Sequence, residues 1–151
     1  MTTRATTHDT IVVRRTCAAP VGRVFRAWHD PAALGRWYMP GNGWSNDLKE
    51  QDFRVGGAFR LTFGPAGEPP YFEDTRYQDI VADTRIIFAM TIGRGDTRLT
   101  TSMVTVEFLA RESRTEVTVT EQIVILDGGD TAAAREEGWG ETLDKLVVEF
   151  A

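Results

Sequence analysis

One acidic residue, Glu121, occupies a position where a carboxylate could transfer protons. In residues 115–125, Val117, Val119 and Ile123 alternate along a predicted strand, and Glu121 shares their side. A carboxylate on the dry face of a sheet is costly unless it finds a partner or its pKa rises, so inward acids are candidates for function. The alternative is a bend or bulge that exposes Glu121. Glu121 is therefore the one catalytic candidate, and also a candidate ligand contact.

A second polar group lies on the predicted strand over residues 71–81. Tyr77 and Asp79 alternate there with Glu73 and Thr75, so an inward turn of this face would present acids and hydroxyls to the interior. The opposite face is no more apolar, which leaves an edge strand or a bulge as the alternative. Tyr77 and Asp79 are candidate ligand contacts on the first interpretation and solvated on the second.

Familiar catalytic and metal-binding motifs are absent from the sequence. It has no Gly-x-Ser-x-Gly elbow and no phosphate-binding loop of the Walker type. His8 and His29 are isolated, and Cys17 is the single cysteine, so neither a zinc site nor an internal disulfide is expected. We therefore expect no cofactor and no metal.

Charge and hydropathy exclude two classes of partner. The 151 residues carry 17 Lys and Arg against 22 Asp and Glu, a net charge of -5, and the arginines are scattered, which argues against nucleic-acid binding. No apolar run approaches the roughly 18 residues of a membrane span, and the N-terminus lacks the apolar core of a signal peptide. We expect a single cytoplasmic domain that binds neither nucleic acid nor membrane.

The element that must position these side chains is an amphipathic helix in residues 131–151. Its apolar residues fall on one helical stripe, and Asp130 is the expected N-cap. Gly138 and Gly140 flank Trp139 inside the pattern, each at a cost of about 1 kcal/mol. Close approach to a sheet, room for a ligand beside the indole, and fraying of the first turns are three explanations. The stripe consists of Trp139, Leu143, Leu146, Val147 and Phe150.

The remaining pattern predicts an α+β fold, a curved antiparallel sheet that holds the long helix while two short helices close one end. The first nine residues look frayed. A strand over residues 10–17 leads to a helix over residues 20–28 with Pro20 first, and then to a second helix capped by Asp30 and ended by Pro40 and the turn Gly41-Asn42-Gly43. Six more strands are predicted over residues 45–51, 58–63, 71–81, 85–92, 99–110 and 115–125.

Several segments, in this order and spacing, resemble a known family. They are AAPVGRVFRAWHDPAALGRWYMP (residues 18–40), DFRVGGAFRLTF (52–63), RIIFAM (85–90), MVTVEF (103–108), TEVTVTEQ (115–122) and EGWGETLDKL (137–146). The chain is similar to the START-like, SRPBCC superfamily, and within it to bacterial proteins that resemble the C-terminal domain of the activator of heat-shock protein 90 ATPase. The resemblance covers nearly the whole chain.

The resemblance implies a helix-grip fold with a cavity between sheet and helix for an apolar or amphipathic small molecule. By similarity, residues 37–44 border the cavity mouth, so Trp37, Tyr38, Met39 and Trp44 are gate candidates. Homodimers are plausible for this family. Further candidates for the cavity wall are the apolar Phe63, Phe88, Met90, Met103 and Trp139, with Tyr77, Asp79, Glu121 and Arg60 as orienting polar groups.

Three functions remain open at this point, because the superfamily hosts many activities. The first is binding of a small molecule. The second is a cyclase-like or hydrolase-like enzyme in which a buried acid such as Glu121 shuttles a proton. The third is a chaperone-associated interaction module, which would have a filled core and an exposed apolar patch instead of a cavity.

Overall fold

The computed structural model describes residues 4–39 and 43–151, and its seven strands form one antiparallel sheet. The order across the sheet is β1-β7-β6-β5-β4-β3-β2, so the first two strands lie at opposite edges. The predicted α+β class and curved antiparallel sheet are confirmed. The strands are β1 (Thr6–Cys17), β2 (Trp44–Gln51), β3 (Ala58–Pro65), β4 (Tyr71–Val81), β5 (Arg85–Arg94), β6 (Thr97–Arg111) and β7 (Arg114–Leu126).

Two short helices follow β1, as predicted: α1 (Val21–Ala27) and α2 (Pro31–Trp37). The Asp30 side chain caps α2 by accepting a hydrogen bond from the Ala32 amide at 3.1 Å. Pro20 was predicted to be the first residue of α1. It has an extended backbone and is instead the N-cap, so the helix begins one residue later, at Val21. Pro40, Gly41 and Asn42, which were predicted to end α2, lie outside the described residues.

The long helix α3 (Ala132–Glu149) packs against β1 and α2 and buries Trp139, Leu143 and Leu146. The prediction that Asp130 is the N-cap of α3 is wrong. Thr131 caps the helix, because its hydroxyl accepts a hydrogen bond from the Ala134 amide at 3.1 Å. The Asp130 carboxylate instead accepts from the Thr131 amide and from Arg135.

The first strand begins at Thr6, four residues earlier than predicted, so residues 6–9 are not frayed. Their backbone pairs with the end of β7, with Thr6 opposite Leu126. Just before the strand, Arg4 forms a 2.8 Å ion pair with Asp127, and the Asp127 carboxylate also accepts from the Ala5 amide. Polar sequence did not prevent strand formation, because the neighbouring strand supplies hydrogen bonds regardless of side chain.

A β-bulge in β4 resolves the ambiguous pattern of that strand. Glu73, Thr75 and Tyr77 alternate on the inner face and are buried. The pairing with β5 shifts between Tyr77 and Asp79, which breaks the alternation there. Asp79 therefore leaves the inner face and pairs with Arg85 at the surface.

The core lies between the inner face of the sheet and the helices. The predicted alternation on three strands is confirmed, and Glu121 is fully buried with its apolar neighbours, so the bulge that would have exposed it does not exist. The buried residues of these alternating faces are Phe59, Leu61, Phe63, Val104, Val106, Phe108, Val117, Val119 and Ile123.

Candidate functional site

A cavity of about 270 Å³ lies between α3 and the inner face of the sheet, near the end of α2. Its wall is mostly aromatic, aliphatic and sulfur-containing, and its polar groups come chiefly from the start of α3. Such a wall suits an apolar molecule with a few polar atoms. The lining residues are Tyr38, Met39, Trp44, Phe63, Tyr71, Met90, Ile92, Leu99, Gly129, Asp130, Ala134, Arg135, Gly138, Trp139 and Thr142.

Three stacked rings from β2, β3 and β4 form one wall of the cavity. Trp44 and Tyr71 are nearly parallel at 6.0 Å between centroids, and Phe63 and Tyr71 at 5.5 Å. The Arg94 guanidinium lies over the Tyr71 ring, 4.5 Å from its centroid. These rings hold one another in place, so the cavity has a preformed flat aromatic surface.

The facing wall comes from α3, where Gly138 and Trp139 both line the cavity. The helix runs unbroken through this point, so fraying does not explain the two glycines. A Cβ on Gly140 would lie 3.2 Å from Nη2 at the end of the Arg15 side chain, which projects from β1. Gly138 lines the cavity next to Trp139.

Behind this wall, the Glu121 carboxylate accepts three hydrogen bonds in the fully buried interior. The Ser102 hydroxyl and Nη1 of Arg135 each lie 2.6 Å from Oε2, and Nε1 of Trp139 lies 2.8 Å from Oε1. An inward carboxylate was predicted to need hydrogen-bond partners, and Glu121 has them. Glu121 does not line the cavity itself, and its bonds orient two residues that do.

Sequence analysis missed Arg135, which is central to the polar part of the site. Its guanidinium donates to Glu121 at 2.6 Å, to the Thr100 hydroxyl at 2.8 Å and to Asp130 at 3.2 Å. Arg135 lies one turn before Trp139, so extending the apolar stripe of the helix backwards by four residues would have found it. A charged residue there looks solvated in the sequence alone.

The sequence pattern left Glu73 either inward or solvated, and the structure buries its carboxyl. It accepts hydrogen bonds from the Tyr38 phenol at 2.9 Å and from the Thr75 hydroxyl at 2.6 Å. Burial raises the pKa of Glu73 from its ordinary 4.5 to about 7, against the opposing effect of those two bonds. Burial, together with the charge of Glu73, also raises the pKa of the Tyr38 phenol, which therefore stays a donor.

Glu73 borders a second, smaller space of about 20 Å³ whose lining residues are all buried. Tyr38 lines both this space and the larger cavity, so it separates the two. The predicted contacts Tyr77 and Phe88 line only the smaller space, packed edge to face at 6.4 Å. Glu73 is thus one side chain away from the main cavity.

Six predicted residues line the main cavity, and four others line neither it nor the smaller space. Trp37 is not at the mouth, because it is fully buried and donates to the Ala27 carbonyl at 3.0 Å. Asp79 leaves the inner face at the bulge. Met103 is 39% exposed because it alternates with the buried Val104, and Arg60 is exposed beside Glu50 and Asp74. The six that line the cavity are Tyr38, Met39, Trp44, Phe63, Met90 and Trp139.

Within the described ranges, no three His, Cys, Asp or Glu side chains converge as metal ligands would. His29 instead stacks on Phe53 with 4.3 Å between ring centroids. No helix in the described part of the chain is both long and apolar enough to cross a membrane.

Comparison with known proteins gives a consistent result. A family model described as activator of Hsp90 ATPase homolog 1-like protein matches residues 18–151. Solved structures that resemble the chain include a protein from Rhizobium leguminosarum, 37% identical over 97% of each chain with a TM-score of 0.87. Mll3558 from Rhizobium loti is 36% identical over 96% of this chain and 99% of its own, with a TM-score of 0.85.

A third structure, CV1439 from Chromobacterium violaceum, is 26% identical over 93% of this chain and 96% of its own, with a TM-score of 0.83. None of the curated proteins matches the chain.

Proposed function

Because the chain belongs to the family of activator of Hsp90 ATPase homolog 1-like proteins, we propose that its cavity binds a small apolar or amphipathic molecule. The START-like helix-grip fold of this family commonly binds hydrophobic ligands between sheet and helix. The observation that carries the proposal is the cavity of about 270 Å³ with its wall of stacked rings.

The size and surface of the cavity indicate the kind of ligand. Its volume lies just below the range of about 300–1,000 Å³ typical of sites for drug-sized molecules, so a compact ligand is expected. Trp44, Phe63 and Tyr71 offer flat surface to a ring, while Met90 can adapt to irregular shapes. The ligand we propose is therefore a small, largely apolar molecule with ring character.

A first test is native mass spectrometry of protein purified from its own host. We expect a reproducible adduct of low mass, and we expect Trp44→Ala to reduce it by removing one of the stacked rings. Protein without an adduct whose melting temperature does not change with small aromatic probes would contradict the proposal.

A sharper test uses two neighbouring exposed alanines of α3. Ala134 lines the cavity and Ala133 does not. Ala134→Trp should place an indole in the cavity and abolish the thermal shift produced by 2-methylnaphthalene. Ala133→Trp, the matched control, should leave that shift unchanged. Equal shifts in the two variants would mean that the probe binds elsewhere.

The cavity also bears on the interaction-module alternative, which requires a filled core. Open space beside Trp139 and Gly138 favours ligand binding over that alternative.

A second candidate function, an enzyme with a buried acid, has a specific observation in its favour. Glu73 has a pKa of about 7, as general acid-base chemistry near neutral pH requires, whereas Glu121 is occupied by three donors. Once a ligand is identified, its turnover should be measured in wild type and in Glu73→Gln. Loss of turnover with retained binding would support the enzyme, and equal turnover would exclude Glu73 from it.

A further inference from the structure

The polar part of the cavity is an ion pair at the start of α3. Among the described residues that line the cavity, only Asp130 and Arg135 carry a full charge. The two are joined by a 3.2 Å contact between Nη2 of Arg135 and Oδ2 of Asp130. Their side chains are 12% exposed for Arg135 and 28% for Asp130, so both remain partly accessible. A ligand with a polar end would meet this pair.

Hydrogen bonds to other protein groups hold both members of the pair in place. Arg135 is held by Glu121 at 2.6 Å and by the Thr100 hydroxyl at 2.8 Å, and Asp130 accepts from the Thr131 amide at 2.7 Å. A guanidinium has five N–H groups and a carboxylate about four lone-pair sites. Within the described part of the chain, Arg135 uses three of its N–H groups, for Glu121, Thr100 and Asp130. Asp130 uses two of its lone-pair sites, for the Thr131 amide and Arg135. The pair therefore retains both donor and acceptor capacity.

An ionised ligand group of either sign is disfavoured at this position. A carboxylate would be the third anion around one guanidinium, because Glu121 and Asp130 already flank Arg135. Repulsion of that carboxylate would be only weakly screened by solvent in a partly buried cavity. An ammonium would have to compete with Arg135 for Asp130 and would give up its hydration in a mostly apolar cavity.

A neutral group that both donates and accepts avoids the repulsion of an anion and most of the hydration cost of an ion. A hydroxyl can accept from a remaining N–H of Arg135 and donate to Asp130 at the same time. The contact between these two residues is the longest of the three that Arg135 makes, so it is the easiest to share. Asp130 also already complements the partial positive charge at the start of α3.

We propose that the Asp130–Arg135 ion pair is the polar recognition site of the cavity and selects ligands that carry a neutral donor-acceptor group, a hydroxyl above all. This inference rests on the proposed ligand-binding function and specifies the chemistry of the ligand.

The test compares four probes that share one ring system. Isothermal titration calorimetry at neutral pH would measure the affinity for 2-methylnaphthalene, 2-naphthalenemethanol, 2-naphthylmethylamine and 2-naphthoate. We expect the alcohol to bind about tenfold more tightly than either charged probe, and more tightly than the hydrocarbon. Carboxylate or amine binding equal to that of the alcohol would overturn the inference.

A charge-neutralising variant tests the role of Asp130 directly. In Asp130→Asn, Arg135 keeps only one carboxylate partner, so 2-naphthoate should gain about tenfold in affinity while the alcohol changes little. Asp127→Asn is the matched control, since Asp127 lies three residues away and binds Arg4 and Ala5 instead. An equal gain in both variants would assign the effect to net charge and overturn the site.

The two proposals fail in different ways. If 2-methylnaphthalene binds but the alcohol has no advantage over it, the recognition site is wrong and ligand binding stands. If none of the four probes binds, both are wrong. Should Asp130→Asn not fold, the ranking of the four probes on the wild-type protein still decides the inference.

Discussion

Nη1 of Arg135 on α3 lies 2.6 Å from Oε2 of Glu121 on β7, with the two side chains 12% and 0% exposed. Together with the hydrogen bond from Nε1 of Trp139 to the same carboxylate, this contact links the helix to an inner strand of the sheet. Buried ion pairs contribute little compared with apolar packing, but losing one partner leaves an uncompensated charge. The link therefore makes the helix position sensitive to either residue.

Replacing Arg135 should test that sensitivity. Arg135→Met should lower the free energy of unfolding by about 3–5 kcal/mol, because Glu121 would remain buried with only Ser102 and Trp139 as donors. Urea denaturation measures the change. The control Arg54→Met removes an exposed pair with Asp52 and should cost no more than about 1 kcal/mol. Equal costs would contradict the prediction, and the double variant Glu121→Leu/Arg135→Met should recover part of the loss.

The raised pKa of Glu73 predicts a dependence of stability on pH. Between the unfolded pKa near 4.5 and the folded pKa of about 7, the folded protein binds more protons than the unfolded chain. Stability contributed at this site therefore falls as pH rises through that interval. Glu73→Gln should remove this dependence. The free energy of unfolding of the variant minus that of wild type should therefore be up to about 3 kcal/mol higher at pH 8 than at pH 4.5.

The control for that experiment is Asp74→Asn on the exposed side of the same strand. The difference in free energy of unfolding between Asp74→Asn and wild type should not rise in this way between pH 4.5 and pH 8. A flat difference between Glu73→Gln and wild type from pH 4.5 to pH 8 would show that Glu73 titrates normally. Tyr38, Tyr77, Glu121 and Arg135 surround the site, and all are kept in both variants.

The corrected N-cap of α3 gives a third prediction. Thr131→Ala should destabilise the protein by about 1 kcal/mol, because the Ala134 amide loses its acceptor. Thermal unfolding followed by circular dichroism measures the change, with Ser113→Ala in the exposed β6–β7 turn as control. If Thr131→Ala behaves like the control, the cap contributes nothing to stability.

Glycine substitutions should separate steric need from helix propensity. A Cβ on Gly57 would lie 2.0 Å from the Asp52 carbonyl oxygen, so Gly57→Ala should cost at least about 2 kcal/mol. Gly35 in α2 has open space at the same point, and Gly35→Ala should stabilise by up to about 1 kcal/mol. Melting temperatures should therefore move in opposite directions. A shift of the same sign in both variants would contradict the steric argument.

Sequence patterns predicted the features of this fold that depend on periodic spacing, such as the inner faces of the strands. Alternation located Glu121 on the inner face because its strand has apolar residues at every second neighbouring position. The same rule would have excluded Met103, which stands one position out of phase with Val104. For Asp79 the sequence left an inward face and a bulge open, and the bulge in β4 decides for the surface, because it reverses the side on which a residue lies.

The polar partners of the site could not be predicted in the same way. Arg135 and Glu121 lie 14 residues apart on different elements and meet only through the packing of α3 against the sheet. The side of Glu73 stayed undecided in the sequence, because the residues on the other face of its strand are equally polar. Contacts between particular side chains on different elements depend on tertiary geometry, which periodicity does not contain.

The strand order has a kinetic consequence. β1 pairs with β7 and not with its neighbours in the chain, so Val13 must find Val119 across more than a hundred residues. Closing such a loop costs entropy before any contact forms, which slows folding. Because α3 follows all seven strands in the chain, the inner apolar face stays uncovered until late in synthesis. A nascent sheet without α3 therefore exposes apolar surface that favours aggregation.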